Sequence, residues 1–186
     1  MNETKGSPTK VLFDSLTKLY KQGQLLLMDA DRLMGEHGWE PIGTTAPAEF
    51  SYSINSPDRW FARWAVRFYI PQEEEDKDNL VDSLLFVSIH FASDHDTSVN
   101  EPLVSAGHLF FTEPLLRKKA KESYDYWICK SWFFGKPLAE MDQWHEYNPS
   151  KWFPASRSVR TFSVLLYEIK SSETLEKLVI DKLFPG

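Results

Sequence analysis

The chain has 186 residues, 42% hydrophobic and 26% charged, a balance that suits one globular domain with a substantial core. Its formal net charge of −6 argues against non-specific nucleic-acid binding, which draws its affinity from neutralising phosphates with a basic excess. A single cysteine, Cys129, excludes an internal disulfide and the cysteine-rich zinc modules.

The first ten residues hold no signal-type apolar stretch, and no apolar run nears the roughly 20 residues that cross a bilayer. The expectation is a cytoplasmic protein with a flexible N-terminus over residues 1–8 and one domain over 9–186. Aromatic residues make up 15% of the chain and include seven Trp, so a thick core or a ring-lined groove is expected.

The first element is a long helix. Ser7 can cap it, Pro8 suits the first helical position, and Gly35 and Gly38 mark its end. Leu12, Leu16, Leu19, Gly23, Leu26, Ala30 and Leu33 form a 4-3-4-3 seam. That seam predicts a helix laid across a sheet, with pairing to a second copy as the sharper alternative.

A linking stretch over 39–57 follows, in which Phe50 to Ile54 alternates as a short strand would. The segment from Arg59 to Ile70 alternates with period two. Trp60, Trp64, Val66, Phe68 and Ile70 share one face, while Arg59, Arg63, Arg67 and Tyr69 share the other. The acidic run between Gln72 and Asn79 reads as a solvated hairpin loop.

Further strands are predicted at Leu84–Ala92, Leu103–Thr112, Tyr124–Phe134 and Val159–Ile169. A short exposed helix or turn is predicted over Pro114–Glu122. The connection from Gly135 to Arg157, with Trp144 and Trp152, is long enough to suggest that it covers something. Ser171, Ser172 and Glu173 open a final helix that runs to about Leu183. Hairpin-length connections predict an α+β fold: an antiparallel meander of five or six strands, with the long N-terminal and shorter C-terminal helices packed on one face. Apolar residues on both sides of the later strands predict that both sheet faces are covered.

No motif fixes a chemistry. With the Trp face of the Arg/Trp strand turned to the helices, Arg63, Arg67 and Tyr69 would face away from them, joined by His90 and Ser88. Trp144 and Trp152 would then close an anion-binding pocket, since guanidinium forks match carboxylate and phosphate. His90, Asp94, His95 and Asp96 are the only cluster of metal-ligand types, but their spacing fits no metal motif, so no metal and no cofactor is expected. Cys129 sits in a strand-like run without a placed base, and glycine-rich phosphate loops are lacking. No catalytic residue can be assigned.

The expectation is therefore a non-catalytic binding protein that associates with itself, as a homodimer, or with a protein partner, through the sheet face and the long helix. The acidic total suits a partner with a basic surface, as where a toxin meets its immunity protein. The alternative is small-anion binding in the Arg/His/aromatic pocket, with a hydrolase-like enzyme as its furthest extension.

Overall fold

The computed structural model describes residues 8–43, 64–72, 79–91, 101–122, 142–148 and 155–184. Helix α1 spans Pro8–Glu36, and Gly38 leaves it with φ +78°, a conformation that costs glycine little. Strands β1 (Trp39–Pro41), β2 (Trp64–Pro71), β3 (Leu80–His90) and β4 (Leu103–Leu116) follow, then α2 (Arg117–Glu122), β5 (His145–Tyr147) and β6 (Ser156–Leu165). A 3-10 turn, Leu166–Glu168, leads to α3, which comprises an α-helical turn Ser172–Leu175, a π-helical stretch Glu176–Ile180 and a last turn Asp181–Leu183.

The six strands form one antiparallel sheet in the order β1-β2-β3-β4-β6-β5. The fold is α+β, a meander in which only the last two strands exchange places. Bulges interrupt the register between Val81 and Ser83 and between Phe110 and Phe111. The predicted short strand at Phe50–Ile54, the aromatic strand at Tyr124–Phe134 and the acidic loop after Gln72 lie outside the described residues.

One face of the sheet receives the helices. Leu26, Leu27, Ala30, Leu33 and Met34 of α1 pack with Tyr69, Leu85, Val87, Ile89, Val104, Ala106 and Phe162. Leu175, Val179, Ile180 and Leu183 of α3 complete this core. Burying Leu26, Leu27, Leu33 and Met34 supplies roughly 6–12 kcal/mol gross, an upper bound because the unfolded chain already hides some of that surface.

The predicted orientation of the Arg/Trp strand is inverted. Trp64, Val66, Phe68 and Ile70 face away from α1 and α3 and form a second core with Ile42, Val81, Leu84, Phe86, Leu109, Phe111, Val159 and Ala120 of α2. Alternation divides a strand into two faces but does not say which one meets a helix. Both faces are buried within the single chain: Val66, Phe68 and Phe86 on one side and Tyr69, Val87 and Ala106 on the other are all 0% exposed. The late positions of β6 also differ from expectation. Thr161 and Ser163 supply its second face, and the chain leaves the strand at Leu165.

α1 is not docked along its whole length. Tyr20 meets Phe91 edge-on at 5.1 Å, and a Cβ on Gly23 would lie 2.9 Å from the Phe91 ring, so close contact begins there. The helix continues N-terminally of this point as a more exposed half, with Val11 55% and Leu12 67% exposed and Leu16 half-buried.

Candidate functional site

The sequence-predicted pocket residues are distributed over separate places. Arg67 and Tyr69 lie on the helix face of β2. The Arg67 guanidinium donates from Nη2 to Asp31 Oδ2 at 2.7 Å and from Nε to Oδ1 at 3.1 Å, a bidentate clamp that ties α1 to the sheet. Its Nη1 donates to the Gly43 carbonyl at 3.3 Å. Beside it the buried Tyr69 hydroxyl has no well-formed hydrogen bond among the described residues. Burial, and next the Asp31 charge, holds that phenol well above its usual range.

His90 lies on the opposite face. It pairs with Trp64, and Ser88 pairs with Val66, so both point away from the helices and from Arg67. His90 is 6% exposed, its Nε2 lacks a hydrogen-bond partner among the described residues, and burial lowers its pKa to about 4. Ser88, Ser105 and Ser163 form a transverse row on the same face through the β3–β4–β6 register. Ser105 and Ser163 share a hydrogen bond at 2.7 Å, and Ser88 donates to the Ala65 carbonyl at 3.2 Å. These hydroxyls are satisfied within the sheet. Ser88 gives its proton to the Ala65 carbonyl, so it is not bonded to His90 Nε2 as a nucleophile to its base.

Trp144 returns to the helix face at the far edge of the sheet. It meets Phe162 edge-on at 4.7 Å, stands 5.9 Å from His108 and carries the Arg160 guanidinium 4.6 Å from its ring centre. Lys182 adds a cation above Phe162 at 5.2 Å and pairs with Asp142. Burial lowers the His108 pKa. Phe162 stands three strands from Arg67, roughly 14 Å away, so Trp144 does not close over Arg67. Arg63 and Trp152 lie outside the described residues, as do Asp94, His95, Asp96 and Cys129. Among the described residues, no group of three His, Cys, Asp or Glu side chains could hold a metal ion.

Sequence reasoning missed Arg117. The run from Pro114 to Glu122 reads as exposed, yet Arg117 is 6% exposed and donates to Glu40 at 2.6 Å and to the Pro71 carbonyl. Lys121 joins the same carboxylate at 2.6 Å. Chiefly through the Lys121 hydrogen bond, Glu40 is held below the usual carboxylate range. Clusters of this kind brace the edge of the sheet and offer no open charge.

The open surface lies elsewhere, on α1. Beside its docked half is a cleft of about 660 Å³, walled by Leu19, Leu25 and Leu26 on one side and by Leu166, Tyr167 and Leu175 on the other. Its polar rim is Gln22, Asp29, Glu101, Lys170 and Ser171. Asp29 accepts from the Ser172 hydroxyl at 2.6 Å, which ties the floor of the cleft to α3. Leu25, Met28 and Tyr167 stay 62%, 58% and 60% exposed.

No known protein family, curated protein or solved structure matches this chain. Of the predicted seam, only Leu19 and Leu26 line this cleft. Gly23, Leu26, Ala30 and Leu33 are buried in the protein's own core, while Leu12, Leu16 and Leu19 continue the stripe onto the more exposed half. A 4-3 repeat marks an apolar stripe but not where the sheet beneath it stops.

Proposed function

We propose that this protein is a non-catalytic binding protein that associates through α1, by its more exposed half and the adjoining cleft. The observation that carries the reading is the exposure of Val11, Leu12, Leu25 and Met28, each more than half exposed on one helix. Isolated large apolar residues are ordinary on a surface, whereas exposed Leu25 beside the apolar cleft of Leu19, Leu26, Leu166 and Leu175 gives an apolar surface that a partner can cover. The sheet faces offer no such surface, because both are buried within the chain.

Anion binding has less support. Arg67 is engaged by Asp31 and Gly43, and His90 faces the other way. The test is a Leu12→Glu/Leu16→Glu variant, compared with the unsubstituted protein by sedimentation, both purified and in extract of the cells that make it. The unsubstituted protein is expected to sediment as a complex that the variant loses while its melting temperature stays within a few degrees. Identical sedimentation of the two proteins in both settings would overturn the reading.

A further inference from the structure

We infer a second binding surface, apart from α1: the corner of the sheet where β4, β6 and β5 meet takes an acidic segment of a protein partner, held by Arg157 and Arg160. Neither arginine belongs to α1 or to its cleft, and both are exposed. Arg67 and Arg117 are buried and committed to Asp31 and Glu40. By contrast, Arg157 and Arg160 have no ion pair and no hydrogen-bond acceptor for their guanidiniums among the described residues.

A bulge brings the two onto one face. Phe110 pairs with Ser158 and Phe111 with Ser156, so Arg157 is the extra residue between them. Strict alternation would turn Arg157 to the side opposite Arg160. Instead its guanidinium carbon lies 5.8 Å from the centre of the Phe110 ring, and that of Arg160 lies 4.6 Å from the centre of the Trp144 ring. Re-aiming a side chain is what bulges do beside sites. His108 stacks on Phe110 at 5.5 Å and stands 5.9 Å from Trp144, so three rings run in a row beside the two cations. A ring face steadies a guanidinium without accepting its N–H groups in a strong hydrogen bond, which leaves the planar fork to a carboxylate.

The charges around the arginines fit the same occupant. Lys182, which stands over Phe162, is paired with Asp142. Glu146 lies opposite Arg160 in the β5–β6 register, yet makes no ion pair with it. Arg157 and Arg160 stand three residues apart on an exposed strip of strand, roughly 10 Å along it, a span that acidic side chains on an extended segment cover. Nucleic acid offers anionic groups too. The chain's net charge of −6 repels a long polyanion more than a short acidic segment, and that favours the protein partner.

The test is fluorescence anisotropy at low salt with a labelled oligoglutamate peptide, its oligoglutamine counterpart and a labelled oligothymidylate. The oligoglutamate peptide is expected to bind and the oligoglutamine peptide not to. Arg157→Gln/Arg160→Gln should weaken that binding at least about fivefold while the melting temperature is unchanged, since both side chains are exposed. Glu146→Gln removes the one competing carboxylate beside Arg160 and should tighten it. Failure of the oligoglutamate peptide to bind would overturn the inference, as would equal affinity for the Arg157→Gln/Arg160→Gln variant. Tighter binding of oligothymidylate, lost in the same variant, would overturn the acidic protein segment in favour of nucleic acid.

Discussion

Removing the Asp31 carboxylate tests how α1 is fastened to the sheet. In Asp31→Ala the Arg67 side chain, only 6% exposed, keeps its charge but loses the bidentate carboxylate that ties it to α1. Breaking a fully buried pair costs about 3–5 kcal/mol because the remaining ion has neither partner nor water. Asp31 is 28% exposed, so water can enter part of the vacated space, and a loss of about 2–3 kcal/mol is expected. For a chain of this size that lowers the melting temperature by about 4–12 °C. Urea unfolding followed by tryptophan fluorescence measures it. Arg67→Met added to Asp31→Ala removes the buried cation whose carboxylate is gone, and the double variant is expected to recover part of the loss relative to Asp31→Ala. A loss under about 0.5 kcal/mol for Asp31→Ala would refute the clamp, as would a double variant less stable than the single one.

Three further predictions concern the sheet and α3. His90 has a folded pKa of about 4 against an unfolded value of 6.5, so the unfolded state binds more protons between those values. Its contribution is intact above the unfolded value and is lost as pH falls toward 4, up to about 3 kcal/mol; His108, also depressed, acts in the same direction. His90→Phe should flatten the unfolding free energy between pH 7 and 4.5, and an unchanged slope would contradict the buried, neutral histidine. A Cβ on Gly107 would lie 2.1 Å from the Arg160 carbonyl oxygen, so Gly107→Ala must push β4 and β6 apart. It should cost more than about 2 kcal/mol, read as a shift in the urea midpoint. Ser171 caps α3 by accepting from the Thr174 N–H while Thr174 reaches back, and Ser171→Ala should cost about 1 kcal/mol in the same assay.

Much of the fold was legible because its signals are local. Pro8 opening α1, Gly38 closing it and Ser171 capping α3 act within a few residues. β1 and β5 were not legible: three residues each, one ending in Pro41, carry too little periodicity to separate from a loop. The placement of Arg67 and His90 on opposite faces was not legible for a different reason. Whether Arg67 and His90 share a face depends on strand register, which pairs Arg67 with Val87 and His90 with Trp64. A slip of one residue would reverse that answer without changing either strand's own pattern. Asp31, the residue that settles the fate of Arg67, is 36 positions away and carries no signal of its partner. The seam of α1 marked its buried stripe, Gly23, Leu26, Ala30 and Leu33, whereas the exposed Val11, Leu25 and Met28 lie off the seam and carried no signal.

The central claim is that the exposed apolar residues of α1 form an association surface, self-association being its simplest form. Light scattering across a dilution series tests it most directly. The account predicts a mass near twice the 21.6 kDa of one chain at high concentration, falling on dilution, and a single-chain mass throughout for Leu12→Glu/Leu16→Glu. A single-chain mass at every concentration for the unsubstituted protein would contradict it, as would a dimer that the double substitution leaves intact.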